Sequence, residues 1–183
     1  MPDPDSGEIL WFNPDPRAVI PIDGFHVSHS LRRTARRQKF QVTFNRDFVG
    51  VVDACADRPA TWISQDIKKS YTALHRLGFC HSVEVWDAKA NLVGGLYGLS
   101  QGGVFNAESM FSRETDASKI ALWALVVRLK DCGIDLLEVQ FMTEHLRGLG
   151  AVEIARDTYL RQLGRALQAE VSFQAPTGVY NWL

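Results

Sequence analysis

The sequence predicts a mixed α+β domain in which a largely antiparallel sheet is flanked by helices. Three observations carry that expectation. Between Ser82 and Glu108 polar and apolar residues alternate in short runs divided by turns, as in an antiparallel meander. Ser118 to Cys132 is apolar on most sides, as in a helix buried against a sheet. A further apolar strand, Leu136 to Phe141, follows almost at once. The 183 residues, 46% hydrophobic and 22% charged, suit one globular domain that buries roughly two-thirds of its unfolded surface.

Residues 1–10 read as a loose lead-in, 11–168 as the folded domain and 169–183 as a tail. In Trp11–Arg17 two prolines bracket Asp15, which leaves an aromatic-anchored turn rather than a helix or central strand. Arg17–Ile22 fits a short edge strand that stops near Pro21. Ser28 or Ser30 caps a helix carrying Arg32, Arg33, Arg36, Arg37 and Lys39. Gln41–Phe44 reads as a strand, and Asn45 as the cap of a helix with Phe48, Val51, Val52 and Cys55 on one face. The clearest helix is 65–77: Ser64 caps it, Ile67, Tyr71, Leu74 and Leu77 form its stripe, and Gly78 stops it. The meander follows as Ser82–Trp86, Leu92–Leu99 and Val104–Glu108, with turns at Asp87–Asn91 and Gly102–Gly103. Gly133 ends the apolar helix. In the strand after it Glu138 and Gln140 share one face, and Leu137, Val139 and Phe141 the other. His145–Gly150 is a loop or short helix, and 156–168 is a last amphipathic helix with Tyr159, Leu160, Leu163 and Leu167.

Lys and Arg number 20 against 21 Asp and Glu, a net charge of −1, so any nucleic acid must be met by a local patch. Cys55, Cys80 and Cys132 are widely spaced and odd in number, which fits a reducing cytosol better than a disulfide framework or a zinc site. The acidic, proline-bearing start lacks the basic and apolar regions of a leader, and the longest apolar run, Ile120–Val127, falls far short of the roughly 20 residues that span a bilayer. The expectation is a cytoplasmic monomer without a membrane partner. His26 and His29 sit three apart with no completing ligand, so no metal is expected. A GxSxG elbow, a P-loop and a Rossmann fingerprint are absent, and Leu149-Gly150-Ala151 alone makes no coenzyme A loop.

Three groups of residues suggest chemistry. Glu108 sits among large apolar neighbours, where a carboxylate needs a partner or a cationic ligand; the pattern also fits an exposed acid at a turn. Glu138 and Gln140, on one strand face, have the types needed to orient and deprotonate an amine; the pattern also fits the polar face of an edge strand. Arg32, Arg33, Arg36, Arg37 and Lys39 form a basic stretch in which Arg33, Arg36 and Arg37 share a helical face, suited to phosphates or simply to solvent. Trp62 and Tyr71 are candidates to stack on a nucleobase, although the spacing of Tyr71 equally suits the core.

Taken together, WFNPDPRAV (11–19), TWI (61–63), YTALHRLG (71–78), HSVEVW (81–86), LVGGLYG (92–98), ESMFSR (108–113), ASK (117–119) and LGA (149–151) resemble the leucyl/phenylalanyl-tRNA–protein transferase family, in the family's order over about residues 10–163. The resemblance implies an N-acetyltransferase-like fold. It also implies transfer of Leu, Phe or, less well, Met from its tRNA to a protein's N-terminal Arg or Lys, marking that protein for degradation, without metal or small cofactor. It places Glu138 and Gln140 at the family's Asp-x-Gln catalytic pair and Glu108 at the acceptor site. It places Trp62 and Tyr71 around the donor end, and Leu96, Phe105, Met110, Leu125 and Leu137 in the walls of the apolar donor pocket.

Two departures shape what to expect. The family's N-terminal domain, with its GIFPW-like stretch, is not in this sequence, and Glu138 stands where the family has Asp. One extra methylene moves a carboxylate by about 1 Å, a displacement able to cost roughly 100-fold in rate. The expected mechanism has Glu138 polarise Gln140, which orients or helps deprotonate the acceptor amine against an already activated ester; the alternative has Glu138 act as the base directly. An acyltransferase acting on a different amine, and a non-catalytic tRNA- or peptide-binding relative, are the other readings.

Overall fold

The computed structural model describes residues 12–181, so Trp11 and the lead-in lie outside the described residues. The elements run β1 (Arg17–Pro21), a 3₁₀ turn (Ile22–Gly24), α1 (His29–Arg36), β2 (Gln41–Phe44), α2 (Phe48–Ala56), α3 (Gln65–Arg76), β3 (Cys80–Trp86), β4 (Leu92–Gln101), β5 (Val104–Ser112), α4 (Ala117–Asp131), β6 (Leu136–Gln140), α5 (Glu144–Arg147), β7 (Val152–Ile154) and α6 (Arg156–Ala166). Among the described residues there is one seven-stranded sheet, in the order β2-β3-β4-β5-β6-β1-β7. Its pairs are antiparallel except β5 with β6, which α4 joins by a crossover.

Side-chain oxygens do the capping that the sequence suggests at two helices: Ser28 accepts from Leu31 N and Ser64 from Ile67 N. At α2 the cap is Asp47, which accepts from Gly50 N, rather than Asn45, whose φ of 58° places it in the preceding turn. β1 is not an edge strand. It lies between β6 and the three-residue β7, which is too short to show as a period-two run.

Each face of the sheet has its own cover. On one face α1 and α4 pack over Val83, Val85, Leu96, Phe105, Leu137 and Val139. Gly94 lets α4 settle there, since a Cβ would lie 2.5 Å from that of Ala117. On the opposite face α2 and α3 cover Cys80 and Tyr97, and α6 covers Val19, Val104 and Leu136 with Tyr159. Between α3 and α6 the polar side chains described below come together.

β3 is buried on both faces. Its polar side is therefore internal: Glu84, 0% exposed, accepts from the Ser82 and Thr43 hydroxyls and ties β3 to β2. Burial pushes its carboxyl above the ordinary range, and those hydrogen bonds oppose the shift.

The C-terminal tail after α6 packs onto the core. Phe173 is buried, with ring centroids 5.9 Å from Phe44, 5.6 Å from Phe105 and 4.5 Å from His81. Farther on, Tyr180 N donates to Val42 O along the free edge of β2, and its hydroxyl reaches Asp131.

Candidate active site

The site begins with a fault in the meander. Tyr97 pairs with Ser109 and Gly98 with Ala107, so Glu108 is an extra residue in β5. Such a bulge re-aims side chains. Here Ser109 meets Arg58 of the segment after α2, and Glu108 meets Tyr71 of α3. Gly98 makes the bulge possible, because a Cβ there would lie 2.3 Å from Asn106 O and 2.4 Å from Phe105 Cε1.

A second fault follows on the parallel side. β5 and β6 pair only as Val104–Leu136, Phe105–Leu137 and Asn106–Glu138. Beyond that row β5 continues to Ser112 with β4, and β6 ends at Gln140. A seam opens between the two strands, with Glu108 on one lip and Gln140 on the other.

Gln140 has φ = 64°, and Phe141 N donates to Val139 O at 2.8 Å, so a γ-turn is centred on Gln140. A left-handed non-glycine residue is costly and marks a functional candidate. The turn breaks the alternation of the strand. Phe141 is therefore 47% exposed instead of buried beside Leu137 and Val139, and it meets Phe12 edge to face. The Gln140 side chain swings across the seam, where Nε2 donates to Glu108 Oε2 at 3.1 Å. Glu138 is served differently: its carboxylate accepts from the Gln140 backbone N–H and lies 2.9 Å from Arg17 Nη2. The amide of Gln140 thus pairs with Glu108, not with Glu138 as strand spacing suggests.

Burial pushes both carboxyls above the usual glutamate range. For Glu108 the hydrogen bonds from Gln140 and Tyr71 oppose the shift. For Glu138, Arg17 opposes it and Glu108 adds to it. Burial, and then the charge of Glu108, pushes the Tyr71 hydroxyl up, so it stays a donor.

The structure brings Glu108, Gln140 and Tyr71 into direct contact, with Glu138 beside them. It brings Leu96, Phe105, Leu125 and Leu137 into one apolar cluster, all fully buried, with the half-buried Met110 packed against it. That cluster lies on the α4 face. Trp62 and Tyr71 lie on the other face, in the α2–α3 cluster, so the seven residues do not form one continuous wall. Arg32, Arg33, Arg36, Arg37 and Lys39 are all exposed on or just after α1, on the α4 face; Lys39 pairs with Glu114. Cavities of about 320 and 480 Å³ open along β2 and the C-terminal segment, apart from the Glu108–Gln140 seam. Among the described residues no group of His, Cys, Asp and Glu can hold a metal ion, and no helix is long and apolar enough to cross a membrane. All three cysteines are free thiols.

Arg17 is the site residue that inspection of the sequence passes over. It stands in the WFNPDPRAV stretch, but only the pairing of β1 with β6 carries it to Glu138, 121 positions later.

Comparison with known proteins gives the family. A model of the family described as "Leucyl/phenylalanyl-tRNA protein transferase" matches residues 19–164. A protein of Ruegeria pomeroyi named leucyl/phenylalanyl-tRNA–protein transferase is 53% identical over 182 residues, covering 97% of this chain and 85% of its own. One of that name from Herpetosiphon aurantiacus is 49% identical over 174 residues, covering 94% and 91%. A solved structure titled "The structure of L-PGS from Bacillus licheniformis" is 15% identical with a TM-score of 0.47 over 73% of this chain and 50% of that one, too loose a likeness to argue from. With a family model matched over most of its length and relatives about 50% identical across nearly all of it, the chain belongs to the leucyl/phenylalanyl-tRNA–protein transferase family.

Proposed function

We propose that this chain is an aminoacyltransferase that moves Leu or Phe, and less readily Met, from aminoacyl-tRNA to the N-terminal Arg or Lys of a protein. The setting is the bacterial cytoplasm, where the product is marked for degradation, and the chain acts as a monomer with an N-acetyltransferase-like fold. The observation that carries the reading is Gln140, held out of the strand by a γ-turn and tied by its amide to Glu108 across the seam.

The tie fixes the direction of the Gln140 side chain and leaves Oε1 to accept an N–H from the acceptor amine. An aminoacyl ester in the seam would point its apolar side chain toward Phe105, Met110 and Leu137 and its carbonyl toward Gln140. Burying such a side chain is worth roughly 1.5–3 kcal/mol and disfavours charged aminoacyl groups. Glu108 and Glu138 supply negative charge for the basic acceptor end. The amine nitrogen attacks the ester carbonyl, the C–N bond forms, the C–O bond to the tRNA ribose breaks, and the proton lost by nitrogen passes to the ribose oxygen. Alignment of two bound reactants supplies much of the rate.

The direct test offers pools of charged tRNA and an Arg-starting peptide and reads the product by mass. Expected is the peptide plus one Leu or Phe residue. Binding of both substrates without any product would identify a non-catalytic relative, and a product on a small amine instead would redirect the reading. The α1 patch has its own test. Changing Arg33, Arg36 and Arg37 together to Ala should weaken charged-tRNA binding and lower the salt slope of log affinity by about 2–3. An unchanged slope assigns the patch to solvent.

A further inference from the structure

We propose that Arg17 is a positioning residue for the transfer reaction, acting through Glu138; the inference rests on the reading of Glu138 given above. β1 and β6 pair antiparallel with Val19 opposite Glu138, and a shift of register between Ala18 and Val19 sets Arg17 beside the same carboxylate. The Arg17 guanidinium is 2.9 Å from Glu138 Oε1, and the two side chains are 16% and 3% exposed. Its Cζ lies over the Tyr159 ring of α6, 4.5 Å from the ring centre. The cation is thus clamped between a strand partner and a helix, on the side of Glu138 away from the seam.

The fit is one of charge more than of hydrogen bonding. Buried Arg17 Nε and Glu138 Oε1 each lack a hydrogen bond, although the ions touch. A pair so arranged does not stabilise the fold efficiently, because desolvating two ions costs much of what their attraction returns. What it does supply is a fixed place and a fixed charge for Glu138. The groups acting on Glu138 are Arg17 from β1, Glu108 from β5 and the Gln140 N–H of its own strand; the charge of Glu138 in turn helps push the Tyr159 hydroxyl of α6 up, after burial. Burial, and then Glu108, favours the protonated carboxyl; Arg17, the cation among these groups, is the larger of the two that oppose them, ahead of the Gln140 N–H. Asp15 and Arg156, which meet where the chain enters β1, fasten β1 to α6 at the same end.

The test measures single-turnover transfer with precharged tRNA between pH 5.5 and 8.5 for Arg17→Met, Arg17→Lys, Glu138→Gln and the double variant R17M/E138Q, each as a ratio to the native chain. The ratio cancels the titration of the acceptor amine. Arg17→Met should be at least tenfold slow at pH 7 and recover toward pH 8.5, with its acid limb moved up by about one unit or more. The KM for the acceptor should change less than twofold. Arg17→Lys keeps a cation and should restore the acid limb while remaining slower than the native chain, for want of the guanidinium over the Tyr159 ring. In the Glu138→Gln background Arg17→Met should change the rate less than twofold, since its target is gone. That double variant also carries no lone buried charge, so it reports even if Arg17→Met folds poorly. A native acid limb in Arg17→Met, or an equal loss in both backgrounds, overturns the positioning role alone. A native rate in Glu138→Gln overturns the reading of Glu138 and this inference with it.

Discussion

Gln140→Ala should lower the transfer rate about 100-fold and leave the melting temperature within a few degrees. The rate loss follows from removing the group that aligns the amine, where an error of about 1 Å costs that much. The small stability change follows from what the side chain does in the resting structure: it makes one hydrogen bond, to Glu108, at a half-buried site, worth about 1 kcal/mol. The backbone supplies a control. Gln140 has φ = 64°, a conformation costing an L-residue roughly 1–2 kcal/mol that glycine escapes. Gln140→Gly should therefore be as slow as Gln140→Ala and at least as stable. A fall in melting temperature matching the fall in rate would mean that Gln140 builds the seam instead of working in it.

Phe173→Ala should destabilise the chain by about 3–5 kcal/mol, the range for deleting a buried aromatic ring. For a chain of this size that is a drop of about 6–20 °C in melting temperature. The ring is 7% exposed and touches Phe44, Phe105 and His81. Those residues come from β2, β5 and β3. Phe105 also belongs to the apolar cluster assigned to the donor, so the cavity should reach function as well, raising KM for charged tRNA more than for the acceptor peptide. Phe173→Leu keeps most of the volume and should recover most of the loss. A native melting curve for Phe173→Ala would return the segment to the status of a tail.

These expectations draw on residues that the sequence exposes unequally. The helices were legible from local chemistry, as Ser28 and Ser64 show, because capping involves neighbours three positions apart. The strands β3 to β5 were legible because consecutive strands pair across short turns, and β2 because Gln41–Phe44 has the composition of a strand, although two helices separate it from β3. The rest depends on distant parts of the chain. Arg17 reaches Glu138 only once β1 has crossed the sheet to β6. Gln140 takes up Glu108 only because the γ-turn overrides the period of two, and no residue type announces that turn, since glycine is the usual occupant. Glu108 was legible as an oddly placed acid, but the bulge that aims it requires the register of β4 against β5. The C-terminal segment escaped notice because its apolar residues, Val171, Phe173 and Tyr180, have neither helical nor strand spacing; they fill gaps left by other elements.

The backbone bond from Tyr180 to Val42 has a further consequence. An outer strand with open amides and carbonyls is a template for pairing with a neighbouring molecule, and proteins blunt such margins. Here one margin is shielded by the chain's own end laid along β2, and the other is the three-residue β7, too brief to recruit a partner. Loss of the shield would leave a molecule prone to stick to its copies, so damage near Phe173 should appear first as insoluble material during expression.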